Sequence, residues 1–137
     1  MSKLTRFSVS LDDSLLSRFD EQIRKDGYPT RSKAVADLIS DALVKHEWKS
    51  GAEVAAAIIM VYDHHKRDLS NKLTHIQHDF HQLIVSSQHI HLDHNNCLEI
   101  VVVRGRPERV QELAGRLKGT KGVKYASLAA ASTGKGL

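Results

Sequence analysis

The sequence predicts an α+β protein: a strand–helix–helix unit followed by a β-α-β-β-α-β unit. Three observations predict it. The chain opens on an alternating stretch, "RFSVSL". Two segments of helical periodicity then follow with no strand between them. Beyond "KSGAE" the pattern changes, and runs of strand character enclose two amphipathic helical segments.

In "RFSVSL", Arg6, Ser8 and Ser10 share one face and Phe7, Val9 and Leu11 the other, as in a half-buried strand. "LDDSLLSRFDEQIRKDG" places Leu15, Leu16, Phe19 and Ile23 three and four apart. Asp12 or Asp13 can cap this helix and Gly27 can end it. "YPTRSKAVADLISDALVKHEW" is a second helix, with Thr30 as N-cap and Ala34, Val35, Leu38, Ile39, Ala42 and Leu43 as its apolar face. A lone strand has two open edges, and so short a unit makes a marginal core. The simplest remedy is a twofold dimer in which two strands pair and four helices back them. Such a ribbon would expose Arg6, Ser8 and Ser10 of both chains, and it fits the major groove of B-DNA.

In the second unit "EVAAAIIMVYDH" is a strand and "KRDLSNKLTHIQHDF" a helix with Leu69, Leu73 and Ile76 on one side. "HQLIVSSQHIHLDH" and "NCLEIVVVRG" are strands about a turn at residues 93–96. "RPERVQELAGRLKG" is a helix with Pro107 in its first turn, and "TKGVKYASLAA" a last strand. The order is that of a ferredoxin-like split unit. Expected boundaries are 1–48 for the first domain, 49–52 for a linker, 53–131 for the second domain and 132–137 for a flexible tail.

Of the 137 residues 41% are hydrophobic, enough for a packed core and too many for a disordered chain. The apolar run at residues 55–61 is far too short to cross a membrane. One cysteine cannot close an internal disulfide, so a cytoplasmic protein with a free thiol is expected. Lys and Arg number 20 against 16 Asp and Glu, a net charge of +4. Residues 1–50 contribute 9 against 8 and residues 51–137 contribute 11 against 8, so neither part is a polybasic tail. Nucleic acid, if bound, must be held by a few placed cations.

"HIHLDHNNC" gathers His89, His91, His94 and Cys97. His89 and His91 lie two apart on a strand, about 6.8 Å along it, and so face the same way. Cys97 opens the next strand, within reach of both. That makes three ligands. The fourth could come from His75, His78 or His81, spaced by three before the hairpin, in the same chain or a neighbour. A thiolate with imidazoles suits Zn, Cu or Ni and disfavours Mg, Ca and Mn. His94 reads as a solvated turn residue, and His64 and His65 as surface polar residues ending a strand.

These features together resemble a known family. "RFSVSLDDSLLSRFDEQIRKDGYPTRSKAVADLI" is similar to a ribbon-helix-helix DNA-binding domain. "HDFHQLIVSSQHIHLDHNNCLEI", with its His-x10-His-x-His-x5-Cys spacing inside a βαββαβ domain, resembles nickel-responsive regulators of the NikR type. The resemblance spans about residues 4–130. It implies a homotetramer, a dimer of dimers, joined through central ACT-like domains with a ribbon-helix-helix dimer at each end. It implies one square-planar Ni(II) per subunit, on His89, His91 and Cys97 of one chain and His78 of another. Glu99 would support the site by hydrogen bonds without ligating. Arg6, Ser8 and Ser10 would read bases of a pseudo-palindromic operator, and Thr30, Arg31 and Ser32 would anchor phosphate. Bound nickel would favour repression of nickel-uptake genes. No enzymatic activity, membrane or small-molecule substrate is implied.

The sequence departs from the family pattern twice. Lys33 stands where a glutamate is common, four residues before Asp37, and those two carboxylates help form an interdomain cation site in the family. The Lys33 ammonium is therefore expected to replace the cation and pair with Asp37. Serines also stand where threonines are common on the reading strand, which removes the methyl groups that would pack on thymine. Other readings are a regulator responding to Cu, Co or Zn, a nickel or copper carrier, and a zinc-dependent enzyme. The enzyme reading leaves the strand–helix–helix unit without a role, and the carrier reading involves no DNA.

Overall fold

The computed structural model describes residues 2–137 and places eight elements along them. They are α1 (Asp13–Lys25), α2 (Arg31–Ser50), β1 (Val54–Tyr62), α3 (Arg67–Asp79), β2 (Ile84–His91), β3 (Cys97–Gly105), α4 (Pro107–Lys118) and β4 (Val123–Ala130). The chain divides into two compact units, Met1–Asp41 and Ala42–Leu137.

In the first unit the helix signals act as expected. Asp12 caps α1 by accepting from the Ser14 amide at 2.9 Å. The chain leaves α1 through Gly27, whose φ of 82° suits a residue without a Cβ. Thr30 Oγ1 accepts from the Lys33 amide at 3.1 Å at the head of α2. The strand expected over residues 6–11 does not form in the single chain, where residues 2–12 carry no regular structure. A strand exists by virtue of a ladder, and among the described residues nothing pairs with this stretch. Leu4, Phe7, Val9 and Leu11 are correspondingly exposed, and Ala34 is the unit's one buried apolar residue among those described.

In the second unit the four strands form one antiparallel sheet in the order β2-β3-β1-β4. This is the β-α-β-β-α-β arrangement that the order of elements predicts. Alternation on β1 buries Val54, Ala56, Ile58, Met60 and Tyr62 on one face. Leu69, Leu73 and Ile76 of α3, then Phe80, and Val110, Leu113 and Leu117 of α4 pack with them, joined by Val101 and Val103 of β3. Each large aliphatic side chain so buried contributes about 1.5–3 kcal/mol. The other face carries no helix. There Ile59, Val61, Leu98 and Ile100 are half-buried, and Val102 and Tyr125 are exposed.

One boundary and one strand register depart from the regular pattern. α2 runs through Ser50, across the start of the expected linker, and the turn falls at Gly51, φ 80°. Trp48 near its end packs on the second unit's core, and its indole N–H donates to the Ala131 carbonyl at 2.8 Å. β2 also carries a register shift between Ile84 and Ser86, which sets the direction of its histidines.

Candidate metal centre

The register of β2 against β3 builds the site. His91 pairs with Cys97 and His89 with Glu99, while Tyr62 of β1 pairs with Cys97 on its other side. Directly paired residues point to the same face. Cys97 and Glu99 are inward, on the face that carries the helices, so His89 and His91 lie on that face too. β2 is an outer strand of the sheet, and both histidines there are open to solvent. A sulfur at the bottom and two imidazoles at the rim therefore sit side by side at a sheet edge.

Glu99, only 2% exposed, is the buried charged residue among those described. Its burial is matched by donors. Tyr62 Oη–H donates to Oε1 at 2.7 Å and Gln77 Nε2 to Oε2 at 3.0 Å. His89 Nε2 lies 3.2 Å from Oε2. A neutral His89 that gives its Nε2 proton to Glu99 keeps a lone pair on Nδ1. Tyr62 Oη is 3.5 Å from that nitrogen, but its proton is already committed to Glu99. Such a carboxylate–histidine pairing fixes the ring's tautomer and orientation, as it does beside metal ions in general.

Burial pushes the Cys97 thiol above its ordinary value, with the nearby Glu99 carboxylate adding to the effect. Burial, and then the hydrogen bond to Glu99, pushes the Tyr62 phenol up as well. Tyr62 thus stays a proton donor. The donor set fits a borderline transition-metal ion: a shielded sulfur, two imidazoles and a carboxylate holding one of them. Within one chain, however, no three His, Cys, Asp or Glu side chains among the described residues gather closely enough to hold an ion.

His78 lies exposed near the end of α3, its ring stacked 5.8 Å from that of His81. The structure does not bring it together with His89, His91 and Cys97 in one chain. α3 ends at Asp79, so His81 leaves the helical face it was expected to share with His75 and His78, and its Nδ1 donates to the His78 carbonyl at 3.0 Å. His75 sits 3.9 Å from Asp79. His94 is exposed, and its carbonyl accepts from His65 Nε2 at 2.7 Å. His64 is half-buried, not a surface residue: its ring meets that of His91 at 4.5 Å, and its Nδ1 is buried without a hydrogen-bond partner. Burial, and then the neighbouring His65 and His91, lowers its basicity.

Sequence reasoning missed Tyr62 and Gln77. Tyr62 alternates with Met60 and Ile58 and so reads as core, and Gln77 as a polar helix residue. Neither carries a local signal of its contact with Glu99.

The family profile described as the NikR C terminal nickel binding domain matches residues 55–131. The chain belongs to this family. A protein of Syntrophus aciditrophicus named as a nickel-responsive regulator is 53% identical over 135 residues, covering 98% of each chain. One of Desulfovibrio desulfuricans, named likewise, is 50% identical over 137 residues, covering 100% of this chain and 99% of that one. Both relatives carry the name of a regulator, and neither that of an enzyme. An uncharacterized protein of Thermotoga maritima, TM1266, shares the fold of part of the chain, with a TM-score of 0.52 at 14% identity over 57% of this chain and 96% of that one. Among the described residues no helix is long and apolar enough to cross a membrane.

Proposed function

We propose that this protein is a nickel-dependent, sequence-specific DNA-binding regulator in the cytoplasm that represses nickel-uptake genes when Ni(II) is bound. The observation that carries the reading is the pairing of His91 with Cys97 and of His89 with Glu99 on one face of an edge strand. His89, His91 and Cys97 of one chain and His78 of another would hold one Ni(II) per subunit, with Glu99 orienting His89. Bound nickel supplies a link between chains, and so favours the assembled form over the separated one. Cys97 must lose its proton for this, and its burial makes that loss cost more in the metal-free chain.

Two features support a homotetramer built as a dimer of dimers. In the first unit Phe7, Val9 and Leu11 are exposed in alternation with Arg6, Ser8 and Ser10, as suits a strand awaiting a twin. In the second unit the helix-free sheet face bears Ile59, Ile100, Leu98 and Val102, an apolar surface suited to a second copy. Paired strands would present Arg6, Ser8 and Ser10 to the major groove of a pseudo-palindromic operator, with Thr30, Arg31 and Ser32 at phosphates. Lys33 Nζ lies 2.6 Å from Asp37 Oδ1, and Tyr28 Oη–H donates to Asp37 Oδ2 at 2.9 Å. The ammonium would replace a bound cation there. Wild type is then expected to bind DNA independently of potassium and Lys33→Glu to need it. An equal requirement in both removes this part of the reading.

The test is a DNA-binding titration with Ni, Cu, Zn and Co in turn, with an absorption spectrum of each complex. Copper binds such donors more tightly than nickel, so DNA affinity and not metal affinity is the deciding readout. Nickel is expected to activate most and to show thiolate-to-metal charge transfer that Cys97→Ser abolishes. Equal activation by every metal would sink the nickel reading. Arg6→Ala is expected to lose operator binding with metal affinity intact, whereas a metal carrier or a zinc enzyme would be indifferent to it.

A further inference from the structure

Arg31 is the first residue of α2, and Asp20 stands in the middle of α1. The two side chains meet as a fork on a fork. Arg31 Nε donates to Asp20 Oδ1 at 2.8 Å and Nη2 to Oδ2 at 2.6 Å. Two parallel bonds fix the plane of a guanidinium as one bond does not. Neither side chain is buried: Arg31 is 61% exposed and Asp20 38%. Exposed ion pairs add little to stability. What this one determines is where the Arg31 charge sits.

Its place is the head of a 20-residue helix whose first turn holds no acidic residue. There the amides of Arg31 and Ser32 precede any intrahelical acceptor, while the Lys33 amide is already taken by Thr30. The edge of the guanidinium turned from Asp20 keeps its Nη1 donors. An oxyanion at this helix end would meet amide donors, the helix dipole and a cation held still beforehand.

We propose that Asp20 is a positioning residue for DNA binding: it holds Arg31 at the head of α2, so that its free donors and the helix amides engage one backbone phosphate. This rests on the DNA-binding reading above. It also makes a prediction opposite in sign to simple electrostatics. Asp20 is an anionic residue near the phosphate, so on charge alone its removal would tighten DNA binding. As a positioning residue, its removal weakens it.

The experiment uses full-length, nickel-loaded protein and a duplex that the wild type selects from a randomised DNA pool. Dissociation constants are measured across a salt series for wild type, Asp20→Asn, Arg31→Ala and the double variant. Arg31→Ala is expected to flatten the slope of log affinity against log salt by about 0.9, the loss of one phosphate contact. Asp20→Asn should weaken binding by about two- to tenfold, the cost of ordering a freed arginine on binding, and move the slope toward that of Arg31→Ala. The double variant should bind no worse than Arg31→Ala alone, and Asp20→Glu should recover part of the loss. Unchanged nickel affinity and circular dichroism establish that the variants are folded. Equal or tighter binding by Asp20→Asn overturns the proposal, as does a silent Arg31→Ala. Additive losses in the double variant overturn it too, since they would place the effect of Asp20 elsewhere. If the wild type selects no duplex, the DNA-binding reading falls and takes this inference with it.

Discussion

Tyr62 and Glu99 are the pair on which the geometry of the candidate metal centre is expected to turn, and Tyr62→Phe tests this. The substitution removes one oxygen. It leaves Glu99, 2% exposed, without its shortest hydrogen bond, 2.7 Å from Tyr62 Oη. A hydrogen bond to a charged group contributes about 1.5–3 kcal/mol. Gln77 at 3.0 Å and His89 at 3.2 Å remain, so the lower half of that range applies, about 2 kcal/mol. Trp48 is the chain's only tryptophan and packs on the core of the second unit, so its fluorescence follows that unit's unfolding. With a slope of about 2 kcal/mol/M, the urea midpoint of metal-free protein should fall by about 1 M with the slope unchanged. Glu99→Leu, which strands the Tyr62 and Gln77 donors, should be coupled to it: the double variant loses less than the sum by about 1 kcal/mol or more. The functional counterpart is Glu99→Gln, which keeps shape but weakens the acceptor for His89. Nickel affinity, read by competition with a chelator, should drop about 10–100-fold. Strictly additive losses in the stability cycle, or a Tyr62→Phe midpoint within error of wild type, would refute the network and with it the role given to Glu99.

The fold makes three further predictions. Leu113 of α4 is fully buried, so Leu113→Ala should cost about 2–5 kcal/mol in the same urea assay, and a cost under about 1 kcal/mol would show that the α4 core is loosely packed. Gly122 has φ 102°, and a Cβ there would lie 3.0 Å from Leu69 Cδ2, so Gly122→Ala should destabilise by more than about 1 kcal/mol and lower the melting temperature of metal-free protein. The side-chain amide of Asn96, then the Asn95 amide, hold the Asp93 carboxyl below its ordinary 3.8. A depressed folded value means that this contribution to the hairpin is complete above about 3.8 and is lost as pH falls through the folded value. Carboxyl NMR titration should show Asp93 rising toward 3.8 in Asn96→Ala, and no movement would deny the contact its role.

How much of this was legible in the sequence follows from the range over which each feature is decided. Helix ends are decided within four residues, and Asp12, Gly27, Thr30 and Pro107 all mark them as expected. Strand faces are decided by alternation, so the shared direction of His89 and His91 and the burial of Tyr62 were both readable. What alternation leaves open is the partner across the ladder. A slip of one residue would set His89 against Leu98 and turn every imidazole to the helix-free face. The turn at residues 93–96, where Asp93 accepts from the amides of Asn95 and Asn96, works against that slip. The bulge in β2 has a matching consequence. Ile84 and His89 lie five apart and in a regular strand would face opposite ways, yet their partners Val103 and Glu99 lie four apart and both face inward. One extra residue near Val85 reconciles the two, so that β2 closes over the core at one end and offers imidazoles at the other. No local pattern announces that residue. The same logic covers residues 6–11. Their alternation is plain in the sequence, but a strand also needs a ladder. The exposure of Phe7, Val9 and Leu11 in a single chain is what that alternation should produce if the ladder belongs to a second copy.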